Sequence, residues 1–275
     1  NLNRWLLNTE LELDLNNKTH LSSNYYRVSD SQYFKDILHA DTSLERLNSH
    51  TEITFTDPVS HTSASALTNS EQVVNVGIPK YTKDYEFSLS RTLNAEKKMP
   101  TQIDLITTKF GHHNSDKQLG TRTHANLGVT RSLETIFPEI TTRANISSTY
   151  YQLTSNTLTR TTAGAGVDFA FPFTNQAELF NTKVNHTLTP IISYNYRAKE
   201  LQGNIPIFDT TDKFDDIITF TDLTSGERYT GLDRVTNAND FTLSLESSFR
   251  KFDSKEEDLD LFNFRIAQSY YADTE

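Results

Sequence analysis

The sequence predicts an all-β protein, and more narrowly an antiparallel transmembrane β-barrel. Three observations carry that prediction. Apolar residues recur with a period of two along most of the chain, which is the signature of strands with unlike faces. Many of the periodic segments run to about 10 residues, the length that crosses a bilayer when tilted, whereas strands of soluble sandwiches are nearer 5–6. No apolar run reaches the roughly 18 residues that a transmembrane helix needs, which leaves a closed barrel as the way to span a membrane.

The segments follow in order. In WLLNTELELDL, Trp5, Leu7, Leu11, Leu13 and Leu15 fall on one face, against Asn8, Glu10, Glu12 and Asp14 on the other. A helix would separate Leu11 from Leu13, so a strand is expected. The next strong template sets Tyr81, Tyr85, Phe87, Leu89 and Leu93 against Thr82, Asp84, Glu86, Ser88 and Ser90. In RTTAGAGVDFAFPF the apolar set is Ala163, Ala165, Val167, Phe169, Phe171 and Phe173, and in KVNHTLTPIISYNY it is Val184, Leu188, Ile192, Tyr194 and Tyr196. Phe241, Leu243, Leu245 and Phe249 form another, and Phe262, Phe264, Ile266 and Tyr270 the last. Weaker segments lie near 19–28, 44–56, 58–67, 101–112, 122–133 and 140–152, giving about twelve strands in all.

Short turn chemistry at 15–17 and 154–156 suits an antiparallel meander, and no helical segment of crossover length separates strands. Two connections are long, 27–43 and 199–229, and within the second KFDDIITFTDL is expected as an irregular strand or an inward fold. Outer-membrane barrels carry short turns on the periplasmic side and long loops outside. Aromatic residues gather near segment ends (Trp5, Tyr25, Tyr150, Phe171, Tyr194, Tyr270), as an interfacial girdle requires.

Composition narrows the function. The net charge is -10, from 36 acidic and 26 basic residues, which argues against nucleic-acid binding. With no cysteine there is neither a disulfide nor a thiolate metal site in this stretch. The chain begins at Asn1 and has the single methionine Met99, which reads as a mature fragment. His112 and His113 are neighbours on a strand and point to opposite faces, so with His124 they read as polar strand-end residues rather than ligands. GAG at 164–166 lies inside an alternating segment, where small residues relieve crowding on one face, and no nucleophile elbow accompanies it. The acidic tracts KFDDI and DSKEEDLD lack calcium-loop spacing and read as solvated charge. No cofactor, metal or catalytic group is expected, and the chain does not read as an enzyme.

The stretch RYTGLDRVTNANDFTLSLESSFR joins a polar half to a strand. Its Gly231, Leu232, Asp233, Arg234, Asn237, Ala238 and Asn239, followed by Phe262, Asn263, Gln268, Tyr270 and Tyr271, resemble the barrel domain of the LptD family. Upstream, Val28, Ser29, Asp30, Tyr33, Phe34 and Asp36 of YYRVSDSQYFKDI resemble a second family segment, and MPTQIDLITTKFGHH and TYYQ fall between them in the same order.

The resemblance implies lipopolysaccharide assembly in the Gram-negative outer membrane, by transport without covalent chemistry. It implies an LptE-type lipoprotein plug in the lumen and a periplasmic lipopolysaccharide-transport bridge that delivers to a jellyroll domain. On this reading residues 1–275 are one partial barrel domain, about half of a very large barrel. The jellyroll, the closing strands, the lateral gate and the family's cysteines then lie outside the sequence. Gly231, Leu232, Asp233, Arg234, Asn237 and Asn239 are expected to shape the return of a long loop, as a possible plug contact. Glu10, Glu12, Asp14, Asp84 and Glu86 are expected to face the lumen, with the apolar faces in lipid. A porin or substrate-specific channel is the alternative, recognisable by pairing of the first segment with the last. A soluble β-rich binding or adhesion module is a third.

Overall fold

In a computed structural model the described residues are 3–38, 45–75, 80–112, 116–133, 135–179, 182–213, 219–251 and 260–272. Strands dominate: β1 Leu6–Asn16, β2 Thr19–Val28, β3 Arg46–Asp57, β4 Thr62–Val73, β5 Tyr81–Leu93, β6 Thr101–His112 and β7 Gly120–Leu133. Then come β8 Glu139–Leu153, β9 Thr157–Ala170, β10 Phe173–Leu179, β11 Thr182–Arg197, β12 Ala238–Lys251 and β13 Asp260–Tyr271, with helices α1 Tyr33–Leu38 and α2 Phe220–Ser225. They form one 13-stranded sheet in which each strand lies beside its sequence neighbour from β1 to β9, then β11, β12 and β13. Every pairing registered between strands is antiparallel. Among the described residues β1 pairs with β2 and β13 with β12, and the two do not meet.

The short β10 stands off this path for a local reason. Ala170 lies opposite Ile191 and Phe173 opposite Leu188, so the register of β9 against β11 continues unbroken into β10. Pro172 between them has no N–H to give the ladder. Phe171 N–H still donates to Pro190 O at 2.9 Å. The segment expected to end at Phe173 therefore continues to Leu179, and β9 and β10 are one interrupted strand.

The chain divides into two compact units. One comprises Asn1–Leu93, Gln102–Asn126 and Ser148–Arg160; the other comprises Asn94–Thr101, Leu127–Ser147 and Thr161–Glu275. In the first, Leu13, Leu21, Ile53, Ala66 and Phe87 are successive register partners across β1 to β5, which makes an apolar row. One residue along, Glu12, Ser22, Glu52, Leu67 and Glu86 form the row on the opposite face. In the second, Val167, Tyr194, Phe241 and Tyr270 form an apolar row, and Gly166, Asn195, Asp240 and Tyr271 the polar row beside it.

Among the described residues no second layer covers the apolar face: Leu13 is 46% exposed, Phe87 45%, Ile146 50%, Phe241 40% and Ile266 56%. A soluble sandwich would bury those positions under a second sheet. A monomer in water does not sustain so large an exposed apolar surface. Among the described residues of the first unit, a small apolar core gathers Val28, Phe34, Leu47 and Val74, with Tyr26 and Tyr33 against it. It ties α1 to the ends of β2, β3 and β4.

Candidate functional site: the polar face and the loop above it

The acidic residues singled out in the sequence lie on the polar face. Glu12 and Glu86 share one register row, Glu10 pairs with Asn24 and His50 in the next, and Asp14 lies opposite His20. His20 bridges two of them, with 2.7 Å from Nδ1 to Asp14 and 2.7 Å from Nε2 to Glu12. Glu86 accepts from Lys83 Nζ at 2.9 Å and Thr108 Oγ1 at 2.7 Å. Asp84 accepts from Thr82 Oγ1, and its carboxylate fills the space where a Cβ would stand on Gly111.

A second network occupies the polar face of the other unit. Arg143 forks onto Asp168 and also donates to Asn195 Oδ1 at 3.0 Å, while Asn195 Nδ2 donates to Asp240 at 3.2 Å. Glycine makes the room. A Cβ on Gly166 would lie 2.9 Å from Asn195 Oδ1 and 3.1 Å from Arg143 Nη2, and one on Gly164 would lie 2.8 Å from Asn145 Oδ1. The crowding expected around GAG is therefore that of flat-lying polar side chains, on the even positions opposite Ala163, Ala165 and Val167.

The 198–237 connection is held down residue by residue. Asp233 is fully buried, and one of its carboxylate oxygens accepts the N–H groups of Phe208 at 2.7 Å and Asp209 at 3.0 Å. Its own N–H donates to Thr210 Oγ1 at 2.9 Å, and Arg234 Nη1 donates to Asp233 O at 2.9 Å. The Asp233 carboxylate thus serves the backbone across the loop, while the neighbouring guanidinium of Arg234 reaches the Asp233 carbonyl. Gly231 has φ 65, left-handed, as its turn requires, and a Cβ there would also strike Asp209.

Gln202 copies a strand edge, accepting from Val235 N–H and donating to Val235 O, both at 2.8 Å. Arg197 at the end of β11 pairs with Glu227 and donates to Thr236 O, and Arg228 holds Asp212.

The described part of KFDDIITFTDL is not strand. Residues 214–218 lie outside the described residues, and Phe220–Ser225 is helical because Thr219 and Asp222 form a reciprocal capping box. Hydrogen bonds from Thr219 and an ion pair with Lys213 lower the Asp222 carboxyl to about 2. The helix then ends at Gly226 with φ 67 and touches β13 through Ser269 Oγ, which donates to Leu223 O at 3.3 Å. The loop and the strand ends enclose a cavity of about 640 Å³, lined among others by Gln202, Asp222, Arg228, Asn237 and Tyr271.

Asn239 departs from the other residues of its motif. It pairs with Tyr196 and accepts from Tyr194 Oη at 2.9 Å, so its side chain belongs to the apolar face. His112 stacks edge-on with Tyr81, His124 bonds Thr149 Oγ1, and His113 lies outside the described residues. Of the tract DSKEEDLD only Asp260 is described, paired with Arg250. Gln202, Arg197 and Glu227 carry no motif signal, since each acts on a segment some thirty residues away.

The family model LptD, described as LPS transport system D, matches residues 2–275. Three relatives, each named LPS-assembly protein LptD, show the range of similarity. That of Pseudoalteromonas atlantica is 30% identical over 170 residues, 59% of this chain and 22% of its own length. That of Shewanella sp. strain ANA-3 is 26% identical over 263 residues, 90% of this chain and 33% of its own. That of Thiobacillus denitrificans is 25% identical over 279 residues, 98% and 37%. The chain spans about a third of the length of the curated relatives it matches.

Proposed function

From the premise that the chain belongs to the LptD family, we propose that it is barrel wall in an outer-membrane protein that inserts lipopolysaccharide into the outer leaflet. The observation that carries this is the pairing of a family match over residues 2–275 with a sheet that exposes large apolar side chains along one face in both units. Such a face needs lipid, and its polar reverse needs water or a protein ligand. The three relatives named above are LPS-assembly proteins, and none is a porin.

In this reading the protein does no covalent chemistry. Its polar face lines the lumen and receives an LptE-type lipoprotein plug, with the 198–237 loop and its Gly231–Asn237 segment the contact on this chain. A periplasmic lipopolysaccharide-transport bridge would supply the lipopolysaccharide. The acidic residues Glu10, Glu12 and Glu86 of the polar face repel phosphate-bearing headgroups, so the saccharide passes elsewhere in the lumen or with cations screening it.

The test is made in the full-length protein. Depletion is expected to stop lipopolysaccharide reaching the cell surface, and purification is expected to bring down a small lipoprotein. A barrel that purifies without one while export continues would overturn the plug assignment, and export unaffected by depletion would overturn the function.

A further inference from the structure

The exposed tyrosines of the apolar face gather toward one border in each unit. In the first unit Tyr25 and Tyr85, 43% and 51% exposed, lie toward the strand ends that feed the 29–45 and 74–80 connections. The opposite border of the same face carries Leu13 and Leu15 of β1 and Phe55 of β3. In the second unit Tyr194, Tyr196 and Tyr270 lie toward the 198–237 connection with Phe241 among them, and Phe173, Phe249 and Phe262 lie toward the other end. A phenol is an amphipathic ring with a hydroxyl to offer, and a phenyl ring is not.

Tyr25 and Tyr85 each also hold a cation. The guanidinium of Arg27 lies 5.8 Å from the Tyr25 ring centroid, and Lys109 Nζ lies 5.2 Å from that of Tyr85. Arg27 donates to Ser70 Oγ at 2.7 Å, yet among the described residues neither cation has a carboxylate partner. Cations of the polar face are treated differently, as Arg46 with Glu71 and Arg143 with Asp168 show. A positive charge at the rim of an apolar face is costly unless an anion meets it, and a tyrosine ring supplies only part of that. Within a membrane border the available anion is a phosphate, which suits both a guanidinium and an ammonium.

We propose that Tyr25–Arg27 and Tyr85–Lys109 are two seats for the phosphorylated saccharide headgroup of an outer-leaflet glycolipid. The cation takes the phosphate, while the tyrosine ring and hydroxyl take the sugar. This rests on the outer-membrane reading above. It adds that the border carrying the long connections meets the glycolipid leaflet and grips it.

The experiment uses the full-length protein with its co-purifying lipoprotein, in nanodiscs of phosphatidylethanolamine and phosphatidylglycerol. Bisphosphorylated lipid A is titrated in, and retained lipids are counted by native mass spectrometry. The pair Arg27→Gln/Lys109→Gln is expected to lower lipid A retention roughly tenfold or more, two charge-assisted contacts having been removed. Tyr25→Phe/Tyr85→Phe, which keeps the rings, is expected to lower it less. Arg91→Gln, at the opposite border of the same face, is expected to leave it unchanged, and phosphate-free lipid A is expected to ignore the cation pair. Unchanged retention in the double variant overturns the proposal, as does an equal loss with Arg91→Gln. Equal loss of phosphatidylglycerol and lipid A overturns the glycolipid assignment. Absence of the unaltered protein from the outer membrane sinks the barrel reading instead, so the two failures are distinguishable.

Discussion

Removing the Asp233 carboxylate tests how the long loop is held. Asp233→Ala deletes the acceptor of two N–H groups, those of Phe208 and Asp209, at a fully buried position. Each buried donor left without a partner costs about 1–3 kcal/mol, so the loss is about 2–6 kcal/mol before the loop relaxes. Even about 3 kcal/mol makes local opening on the order of a hundredfold more frequent. Asp233→Asn separates charge from geometry. One oxygen accepts both bonds, so an amide oxygen in that place keeps them and loses only the charge assistance, about 1–2 kcal/mol. Hydrogen exchange at Phe208 and Asp209 in the full-length membrane protein should therefore rise most for Ala, less for Asn, and hardly at all for Arg234→Gln, whose guanidinium reaches only the Asp233 carbonyl. Equal protection in Asp233→Ala and the unaltered protein refutes the reasoning, because the loop would then be held by something else.

Other expectations concern the sheet. Ile53→Arg, in the apolar row, should cost about 2–4 kcal/mol of barrel stability if that row lies near mid-membrane, whereas Leu67→Arg in the adjacent polar row should be tolerated; heat-modified gel mobility compares them. Gly166→Ala pushes a methyl against Asn195 and Arg143 and is expected to destabilise by about 1–3 kcal/mol, with Gly203→Ala, which meets nothing within 4 Å, as the neutral control in the same melt. Charge reversal of Glu10, Glu12 and Glu86 should change the export of lipopolysaccharide, and an unaltered surface level counts against the acidic-wall reading. The Asp222 carboxyl is depressed to about 2 from an ordinary value of 3.8, so its contribution is whole above about pH 4 and vanishes as pH falls through 2. Protease protection of α2 should fall only in that acid window, and Asp222→Asn should abolish the dependence.

What was legible in the sequence was periodic. Leu11, Leu13 and Leu15 announce a strand because alternation is local, and the same holds for Phe241, Leu243 and Leu245. The continuation of the strand past Phe173 is not legible because the alternation in RTTAGAGVDFAFPF gives no sign of the residues beyond it, and the unbroken register against β11 shows only once the partner is present. α2 was missed because its helix is short and its capping box, Thr219 with Asp222, sits among β-branched residues that read as strand. Asp233 stood out in its motif, but its partners, Phe208 and Asp209, are on the far side of the loop. Gln202, which bonds Val235 twice, belongs to no pattern at all. The tyrosine–cation seats were invisible for a further reason: Tyr85 and Lys109 meet across two strands, and alternation fixes only the face on which each lies.

The division of labour between the two faces explains why the polar stretch Gly231–Asn237 has no catalytic look. A single sheet with an exposed apolar face has no interior of its own in which to bury a folded loop. The loop must therefore find its order in hydrogen bonds, and Asp233, Gln202 and Arg197 supply them by taking the place of a missing strand neighbour. Hydrophobic burial contributes little there: among the described loop residues Ile205 and Phe208 are the buried apolar side chains, while Leu201 is 95% exposed and Ile207 51%. A loop ordered this way is rigid where it is bonded and offers its remaining apolar side chains to a partner. Leu201→Ser and Ile207→Ser should then leave exchange at Phe208 unchanged and weaken retention of the co-purifying lipoprotein. If retention is unchanged as well, those side chains face water only and the plug contact lies elsewhere on the polar face.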